Sequence, residues 1–403
     1  MTILANKHIL LGITGSIAAY KAAELASKLT QAGAQVDGIL TPAAEKFISP
    51  LTFQSVTGRK VFIDADLWGG QAHVLHVGLA QSADLLVIAP CTANTLGKLT
   101  HGIADNLLTI TALAARCNLL VAPAMDVGIY THPATQENIR ILSGRGVYFA
   151  GPAEGRMASG LVGKGRLVEP SELLGHIRFV LGRHGPLAGK KIVITAGGTQ
   201  EPLDPVRMLT NKSSGRQGYA LAQAAIDAGG TVTLVSAPTA LPPPVGARLF
   251  PVCTSGEMLE TVLAESVGAD ALAMVAAVAD FRPKRVAKNK LKKRDGIPRV
   301  ELEAAPDVLA AVAGLGSRRP RVVIGFAAES RDLLQNAEAK LKSKNLDMIV
   351  ANDISAPDSG FGVDTNRVTL LFSDAKALPL SLMSKDEVAE TIIAHLAMLL
   401  ETR

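Results

Sequence analysis

Aromatic side chains are scarce in this chain: Phe, Tyr and Trp together make 4% of 403 residues. Single-stranded nucleic-acid binders stack bases on interleaved aromatics and basic side chains. That pattern is missing, as is any helix-turn-helix spacing, so no nucleic-acid partner is expected. The three cysteines, Cys91, Cys117 and Cys253, stand far apart with no paired spacing. This argues against a structural zinc or a disulfide framework and for a reducing, cytoplasmic setting. No apolar run approaches the ~20 residues of a membrane-spanning helix. The N-terminal run HILLGIT is broken at Gly12 and Gly15, and charge follows from Lys21. It reads as a first strand and helix, not as a leader. A strong charge of one sign is also absent. Net charge is only +5, and the one basic cluster, Lys284–Arg294, reads as a phosphate-handling loop.

What is abundant is small and apolar: hydrophobic residues make 48% of the chain, with 37 Gly. Such a composition suits α/β layers, in which small residues let helices sit close on a sheet. At this length two domains are the default. The chain opens with HILLGIT, a glycine turn, a helical stretch and the strand AQVDGILT, and the theme returns with KIVITAGG, GYALAQAAIDAGG and TVTLVSA. Two βαβ openings roughly 180 residues apart predict two Rossmann-like, doubly wound α/β domains in tandem. The expected boundaries are 1–185 and 190–403, with a linker about 182–190 around Gly185-Pro186 and Gly189. Near-continuous apolar strands alternating with helices predict mostly parallel sheets. Ser384, three residues before Glu387, predicts a capping box on the closing helix.

Residues 191–218 are the most informative stretch. The strand IVIT stops at Gly197-Gly198, and a second turn, Ser213–Gly218, opens a helix. A helix start fed by a strand offers free N–H groups and a positive dipole end to an anion. Between the two turns lies an insertion carrying Asp204, Arg207 and Asn211, a sign of substrate handling. In the first domain each strand end carries a short polar group, at residues 14–17, 41–44, 89–94 and 123–126. In open α/β sheets that edge binds ligands.

On these motifs the first half resembles the homo-oligomeric flavin-containing cysteine decarboxylases, giving it a flavodoxin-like flavin domain. The second half resembles the phosphopantothenate–cysteine ligases. The whole chain is similar to the bifunctional decarboxylase/ligase family of coenzyme A synthesis. The resemblance implies FMN with its phosphate on Gly15, Ser16 and Ile17, and a flavin lined by Thr41 and the turn Cys91, Thr92, Ala93 and Asn94. His76 in HVGLAQSAD matches the active-site histidine. Met125 belongs to the motif Pro-Ala-Met-Asn, here ending in Asp126. Residues 155–167 match a mobile substrate loop that usually reads Ala-Cys-Gly, with Ser159 in place of the cysteine.

That chemistry, as the resemblance implies it, removes hydride from the CH2–SH carbon, making an electron sink for loss of CO2, and then returns it with a proton. The loop cysteine is the acid, and a serine hydroxyl is far less acidic than a thiol. Ser159 relaying a proton from water and another donor altogether both stay open. Asp126 places a carboxylate near the substrate's own.

In the second half the resemblance implies activation of a carboxylate by CTP as an acyl-cytidylate, opened by the cysteine amine. Asn211 matches the residue that contacts the acyl-cytidylate, and Arg207 is a partner for a carboxylate or phosphate. Ala276, Asp280 and Lys290 match the nucleotide-side motif, with Lys290 on the triphosphate. Pro306, Asp307, Val308, Leu309, Phe326, Lys340 and Lys344 match the remaining CTP contacts. Mg2+ is expected on the CTP phosphates, with Asp280 a candidate ligand. Asn352-Asp353 and FGVDTNRV resemble a closing segment at a dimer interface. Trimeric decarboxylase and dimeric ligase domains together suggest a dodecamer. One other reading remains, a working ligase fused to a flavin domain that has lost decarboxylation; the presence of Asn211, Asp280 and Lys290 together argues against a non-catalytic flavin-binding regulator. A dehydrogenase pair is disfavoured, because neither loop shows G-x-G-x-x-G with an acidic residue ~20 positions on.

Overall fold

A computed structural model describes residues 3–68, 75–329, 332–353, 363–374 and 376–402. The chain divides into two compact units, Met1–Gly182 and Arg183–Arg403.

The first unit runs β1 (His8–Ile13), α1 (Ala19–Gln31), β2 (Gln35–Leu40), α2 (Pro50–Thr57), β3 (Val61–Phe62), α3 (Leu75–Ser82), β4 (Leu85–Cys91) and α4 (Ala93–His101). It continues with α5 (Leu107–Ala114), β5 (Asn118–Pro123), α6 (Val127–Thr131), α7 (Pro133–Gly144), β6 (Tyr148–Phe149), the ribbon β7 (Ala153–Arg156) and β8 (Val162–Arg166), and α8 (Pro170–Gly182). The sheet order is β3-β2-β1-β4-β5-β6, and its pairings are parallel. This is the doubly wound order, whose switch point lies between β1 and β4. Alternate residues of β1 feed two cores: Ile9, Leu11 and Ile13 pack with α1 and α8, and Leu10 packs with residues of α3 to α5. Both faces are covered, which is why β1 and β4 read as unbroken apolar runs.

The second unit runs β9 (Lys191–Ala196), the ribbon β10 (Gln200–Pro202) and β11 (Met208–Thr210), α9 (Arg216–Asp227), β12 (Thr231–Ser236), β13 (Arg248–Pro251), α10 (Ser255–Ser266) and β14 (Ala271–Met274). It continues with β15 (Phe281–Pro283), β16 (Leu302–Ala304), α11 (Val308–Ala313), β17 (Val322–Glu329), α12 (Leu333–Ser343), β18 (Met348–Asp353), β19 (Thr365–Asn366), β20 (Val368–Phe372), β21 (Ala377–Pro379), β22 (Met383–Ser384) and α13 (Lys385–Glu401). Its main sheet is ordered β13-β12-β9-β14-β17-β18-β20-β21. Six strands are parallel, and β20 and β21 add an antiparallel edge.

The sequence suggests a strand over 271–278, but β14 ends at Met274. The Thr195 hydroxyl takes the next two amides, Val275 N at 2.9 Å and Ala276 N at 3.0 Å, and turns the chain outward. Residues 183–190, read from sequence as a linker, pack onto the second unit. Leu187 is fully buried, and its amide donates to Ala228 O at 2.7 Å. The capping box of α13 forms as expected, with Glu387 N donating to Ser384 Oγ at 3.2 Å and Ser384 N to Glu387 Oε2 at 2.9 Å.

Candidate functional sites

In the first unit the carboxyl ends of β1, β2, β4 and β5 converge. Thr14 ties two of them: its hydroxyl donates to Pro90 O at 2.7 Å and accepts from Thr92 N at 3.1 Å. Gly15 sits so close to the β2 turn that a Cβ there would lie 2.5 Å from Ala43 Cβ. The helix that follows, α1, has no side-chain cap, and Ile17 beside it is 63% exposed. The Ser16, Ala18 and Ala19 amides donate within the turn, so an anion here would meet the Ile17 amide and the positive end of the helix dipole. Thr41 is buried, its hydroxyl 3.3 Å from Ile13 O. Thr92 caps α4, accepting from Thr95 N at 3.4 Å.

Cys91 reaches this edge through its backbone and not through its thiol. Its thiol is fully buried, and burial pushes its ionisation up, so only its backbone is at the edge, with Cys91 O accepting from Ala124 N at 2.9 Å. Ala93 is half-buried and Asn94 exposed. His76, in the first turn of α3, keeps a buried Nδ1 with no hydrogen-bond partner among the described residues. Residues 69–74, which precede it, lie outside those described. An orphaned imidazole nitrogen, a glycine cradle and an uncapped helix start fit a flavin phosphate and ring.

Asp126 and Ser159 meet. Asp126 is the N-cap of α6, accepting from Gly128 N at 3.0 Å. Ser159, in the turn between β7 and β8, donates to Asp126 Oδ2 at 2.5 Å. The Ser159 hydroxyl and then the Gly128 amide hold the Asp126 carboxyl below its ordinary value. The hairpin is also pinned at Gly165, whose carbonyl accepts from Met125 N at 2.9 Å, and where a Cβ would lie 2.2 Å from Met125 O.

In the second unit a cavity of about 800 Å³ opens over the carboxyl ends of β9, β14, β17 and β18. Its wall brings together Asn211, Ala276, Asp280, Pro306, Asp307, Val308, Leu309, Phe326, Lys340 and Lys344. Asn211 Nδ2 donates to Ala277 O and Val278 O, both at 3.2 Å, which locks the end of the insertion over β14. Lys340 Nζ donates to Phe326 O at 2.9 Å. Lys344 pairs with Asp307 at 2.6 Å. Burial pushes the Asp307 carboxyl up, but the Lys344 bond and the Ala310 amide leave it lowered. The two lysines are thus anchored at separate points, and the i, i+4 repulsion expected of them is offset.

The wall also includes Ser213 to Gly218 and the start of α9, whose N-cap Gly215 has φ +78° and no side-chain cap. Lys290 and Arg207 do not line this cavity. Arg207 instead pairs with the buried Asp204 at 2.8 Å and donates to Leu291 O at 2.9 Å. Burial raises the Asp204 carboxyl, yet three backbone amides, from Val206, Leu291 and Arg207, bring it down to about 2. Asp204 and Arg207 thus fasten the segment carrying Lys290, which is exposed. Among the described residues no cluster of three or more metal-ligating side chains occurs, and Asp280 is the expected ligand that lies on the wall. Sequence reasoning missed Lys385; Asn352 and Asn366, expected in a closing segment at a dimer interface, and Gln217 of the helix-opening turn line the cavity with it. Phe361 and Gly362 of the expected closing segment lie outside the described residues. No described helix is long and apolar enough to cross a membrane.

These features define a tandem of two Rossmann-like units, each with a phosphate-sized glycine turn at the switch-point edge of its sheet. A family profile described as Flavoprotein matches residues 2–181, and one described as DNA/pantothenate metabolism flavoprotein C-terminal domain matches residues 187–400. The chain is 45% identical over 399 residues to the coenzyme A biosynthesis bifunctional protein CoaBC of Bacillus subtilis, covering 98% of each chain. It is 44% identical to the protein of that name from Vibrio parahaemolyticus, again with 98% of each covered. A solved C-terminal domain of a CoaBC protein is 39% identical, with a TM-score of 0.47, covering 54% of this chain and 100% of that one. The chain belongs to the family of bifunctional coenzyme A biosynthesis flavoproteins.

Proposed function

We propose that this chain carries out two successive steps of coenzyme A biosynthesis. The second unit joins L-cysteine to 4'-phosphopantothenate at the expense of CTP, and the first decarboxylates 4'-phosphopantothenoylcysteine to 4'-phosphopantetheine with FMN. The observation that carries the ligase half is the convergence of Asn211, Asp280, Phe326, Lys340 and Lys344 on one cavity of about 800 Å³, a volume suited to a nucleotide and an acyl group. A carboxylate is a poor electrophile. Its attack on the CTP α-phosphate forms an acyl C–O–P link and expels pyrophosphate. The cysteine nitrogen then bonds to the acyl carbon, CMP leaves with the C–O electron pair, and the nitrogen's proton passes to water. Mg2+ on the phosphates, with Lys340, Lys344 and the α9 amides, would offset the charge. Lys290, exposed on the segment that Asp204 and Arg207 fasten, is the further cation assigned to the triphosphate.

In the first unit Gly15, Ser16 and Ile17 would hold the FMN phosphate, and Thr41, Thr92 to Asn94 and His76 would border the ring. When bound, FMN supplies the two-electron acceptor that makes loss of CO2 feasible. The chain's own contribution is to orient the substrate under the β7–β8 hairpin and to keep a proton on Ser159 Oγ, hydrogen-bonded to the Asp126 carboxylate. Assembly through trimeric flavin units and paired ligase units, giving a dodecamer, completes this reading.

The Ser159–Asp126 bond also favours a second reading, a ligase with impaired decarboxylation, because a serine bound to a carboxylate is a weak acid. Mass analysis of products from CTP, cysteine and phosphopantothenate separates the two. Phosphopantetheine is the expected product of the wild type, formed faster in Ser159→Cys. Accumulation of the cysteinyl adduct in the wild type alone would favour the second reading. A colourless protein that ignores both FMN and CTP would remove both.

A further inference from the structure

Lys21 is a buried lysine that the proposed decarboxylation leaves without a role. It is the third residue of α1, where the helix dipole disfavours a cation, and its side chain is only 8% exposed. A buried ammonium is costly unless it is paired and hydrogen-bonded. Lys21 Nζ donates to Glu169 Oε1 at 2.7 Å and to Leu167 O at 3.2 Å. The Glu169 side chain is 62% exposed, so water would serve its carboxylate without the lysine. An apolar side chain of the same length would fill the space beside α1 at lower cost. The pair is explained by what it joins.

Both acceptors lie where the chain leaves β8, at the root of the hairpin that carries Ser159 to Asp126. Gly165, just before them, accepts from Met125 N at 2.9 Å. The root is therefore held from two sides, by the chain that follows β5 and by the helix whose start borders the proposed flavin phosphate site. Arg166 lies between these ties, with Nη2 3.9 Å from Glu169 Oε1. Its guanidinium covers Gly155 across the ribbon, where a Cβ would lie 2.8 Å from Nη1. Leu167 and Val168 are buried in the core that α1 shares. That burial has no direction, whereas two hydrogen bonds from one ammonium fix an angle.

We propose that Lys21 is a positioning residue of the decarboxylation, setting through Leu167 and Glu169 the angle at which the β7–β8 hairpin closes on the substrate. The assignment rests on the decarboxylase reading and deepens it. The full chain with FMN and 4'-phosphopantothenoylcysteine tests it, through steady-state kinetics and through trypsin cutting at Arg156 and Lys164, both exposed on the hairpin. Lys21→Met fills the same space and returns Glu169 to water, so the variant folds and keeps its FMN absorbance. Fewer molecules then hold the hairpin in the competent orientation, and apparent affinity falls by that fraction. The KM for the adduct rises about tenfold, the lower end for one hydrogen bond to a charged group. The kcat stays within about twofold, because saturating substrate restores the closed hairpin. Cutting at Arg156 and Lys164 speeds up by a similar factor. Glu169→Gln keeps an acceptor for the ammonium but drops its counter-charge. It raises the KM in the same direction and adds nothing on top of Lys21→Met, as one shared contact requires. Unchanged KM and cutting in Lys21→Met overturn the assignment alone. Loss of FMN absorbance from a folded Lys21→Met also overturns it and gives the lysine to the cofactor. A wild type that binds FMN but leaves the adduct unprocessed overturns the decarboxylase reading and the assignment together.

Discussion

The two units solve one problem, a helix start facing an anion, with different lengths of chain. In the first, five residues join β1 to α1, and Gly15 is wedged against Ala43. In the second, residues 197–215 intervene between β9 and α9, folded as the β10–β11 ribbon. On the proposed reading the short turn has room only to cradle a phosphate. The long one would cradle it too, and it brings Asn211 onto the carbonyls of Ala277 and Val278. The pocket walls differ in kind as a result. The flavin edge is backbone, small hydroxyls and one orphaned histidine nitrogen, suited to a resident cofactor. The ligase cavity has Lys340, Lys344, Lys385 and Arg216 on its wall, suited to anionic substrates that come and go.

The sharpest way to break the comparison is to fill each glycine. A Cβ at Gly218 would lie 2.6 Å from Ala196 Cβ and 2.8 Å from Thr195 O, so Gly218→Ala must push α9 off the sheet. Overpacking of this kind costs about 1–3 kcal/mol, and here the displacement falls on the anion-binding helix start. We expect CTP-dependent pyrophosphate release to fall at least about a hundredfold while FMN absorbance stays. Gly15→Ala should do the reverse, giving a pale protein with ligase activity retained. If either variant lost both activities with its melting profile intact, the two sites would not be separable as described.

Much of this contrast was legible in sequence, and the remainder failed for physical reasons. IVIT followed by paired glycines marks a strand feeding an anion site because both signals are local. The β10–β11 ribbon escaped, since strands of three residues are too short to show a period. Lys290 and Arg207 were placed on nucleotide and substrate by motif, whereas Asp204 recruits Arg207 and the amide of Leu291 through contacts up to 87 residues apart. Lys385 carried a readable signal that went unused: a lysine at the first position of a capped helix opposes the dipole. Asn352 was legible as part of a closing segment, but its place on the cavity wall comes only from the fold.

A second contrast is how each sheet secures its amino edge. In the first unit the buried Asp37 on β2 takes His8 Nε2 at 2.5 Å and Arg59 Nε at 2.7 Å, while Nδ1 of His8 meets Ser82 O at 2.9 Å. Burial pushes Asp37 up, but His8 and Arg59 outweigh it and bring it down to about 2. Chiefly through Asp37, His8 is raised from its ordinary 6.5. A raised histidine stabilises fully below its unfolded pKa and loses that contribution as pH rises through the folded value. A depressed carboxylate stabilises above its unfolded pKa, near 3.8, and loses it as pH falls toward about 2. The triad therefore helps most between about pH 4 and 6.5. Asp37→Asn should destabilise the first unit by about 3 kcal/mol in urea melts at pH 6, and by less at pH 9. A flat difference across that range would show that His8 is neutral throughout.

The smallest expected effect separates helix ends that serve a site from those that only fold. Both α1 and α9, which face the anion sites, lack side-chain caps, whereas α10 and α13 carry full capping boxes at Thr254 and Ser384. A cap at a binding helix would occupy the amides a phosphate needs. Elsewhere it satisfies orphan donors at no functional cost. Thr254→Ala should lower the stability of the second unit by about 1 kcal/mol, read as a shift in the denaturant midpoint with unchanged slope. The KM for CTP should not move, because α10 contributes nothing to the cavity wall. Placing a serine at the Gly215 cap should do the opposite in kind. It strains a φ of +78° and crowds Thr239, 2.5 Å from the new Cβ, and its hydroxyl competes with phosphate for the α9 amides. Affinity for CTP should then fall further than stability does, and equal falls in the two would mean that the uncapped helix start is only a consequence of the glycine turn.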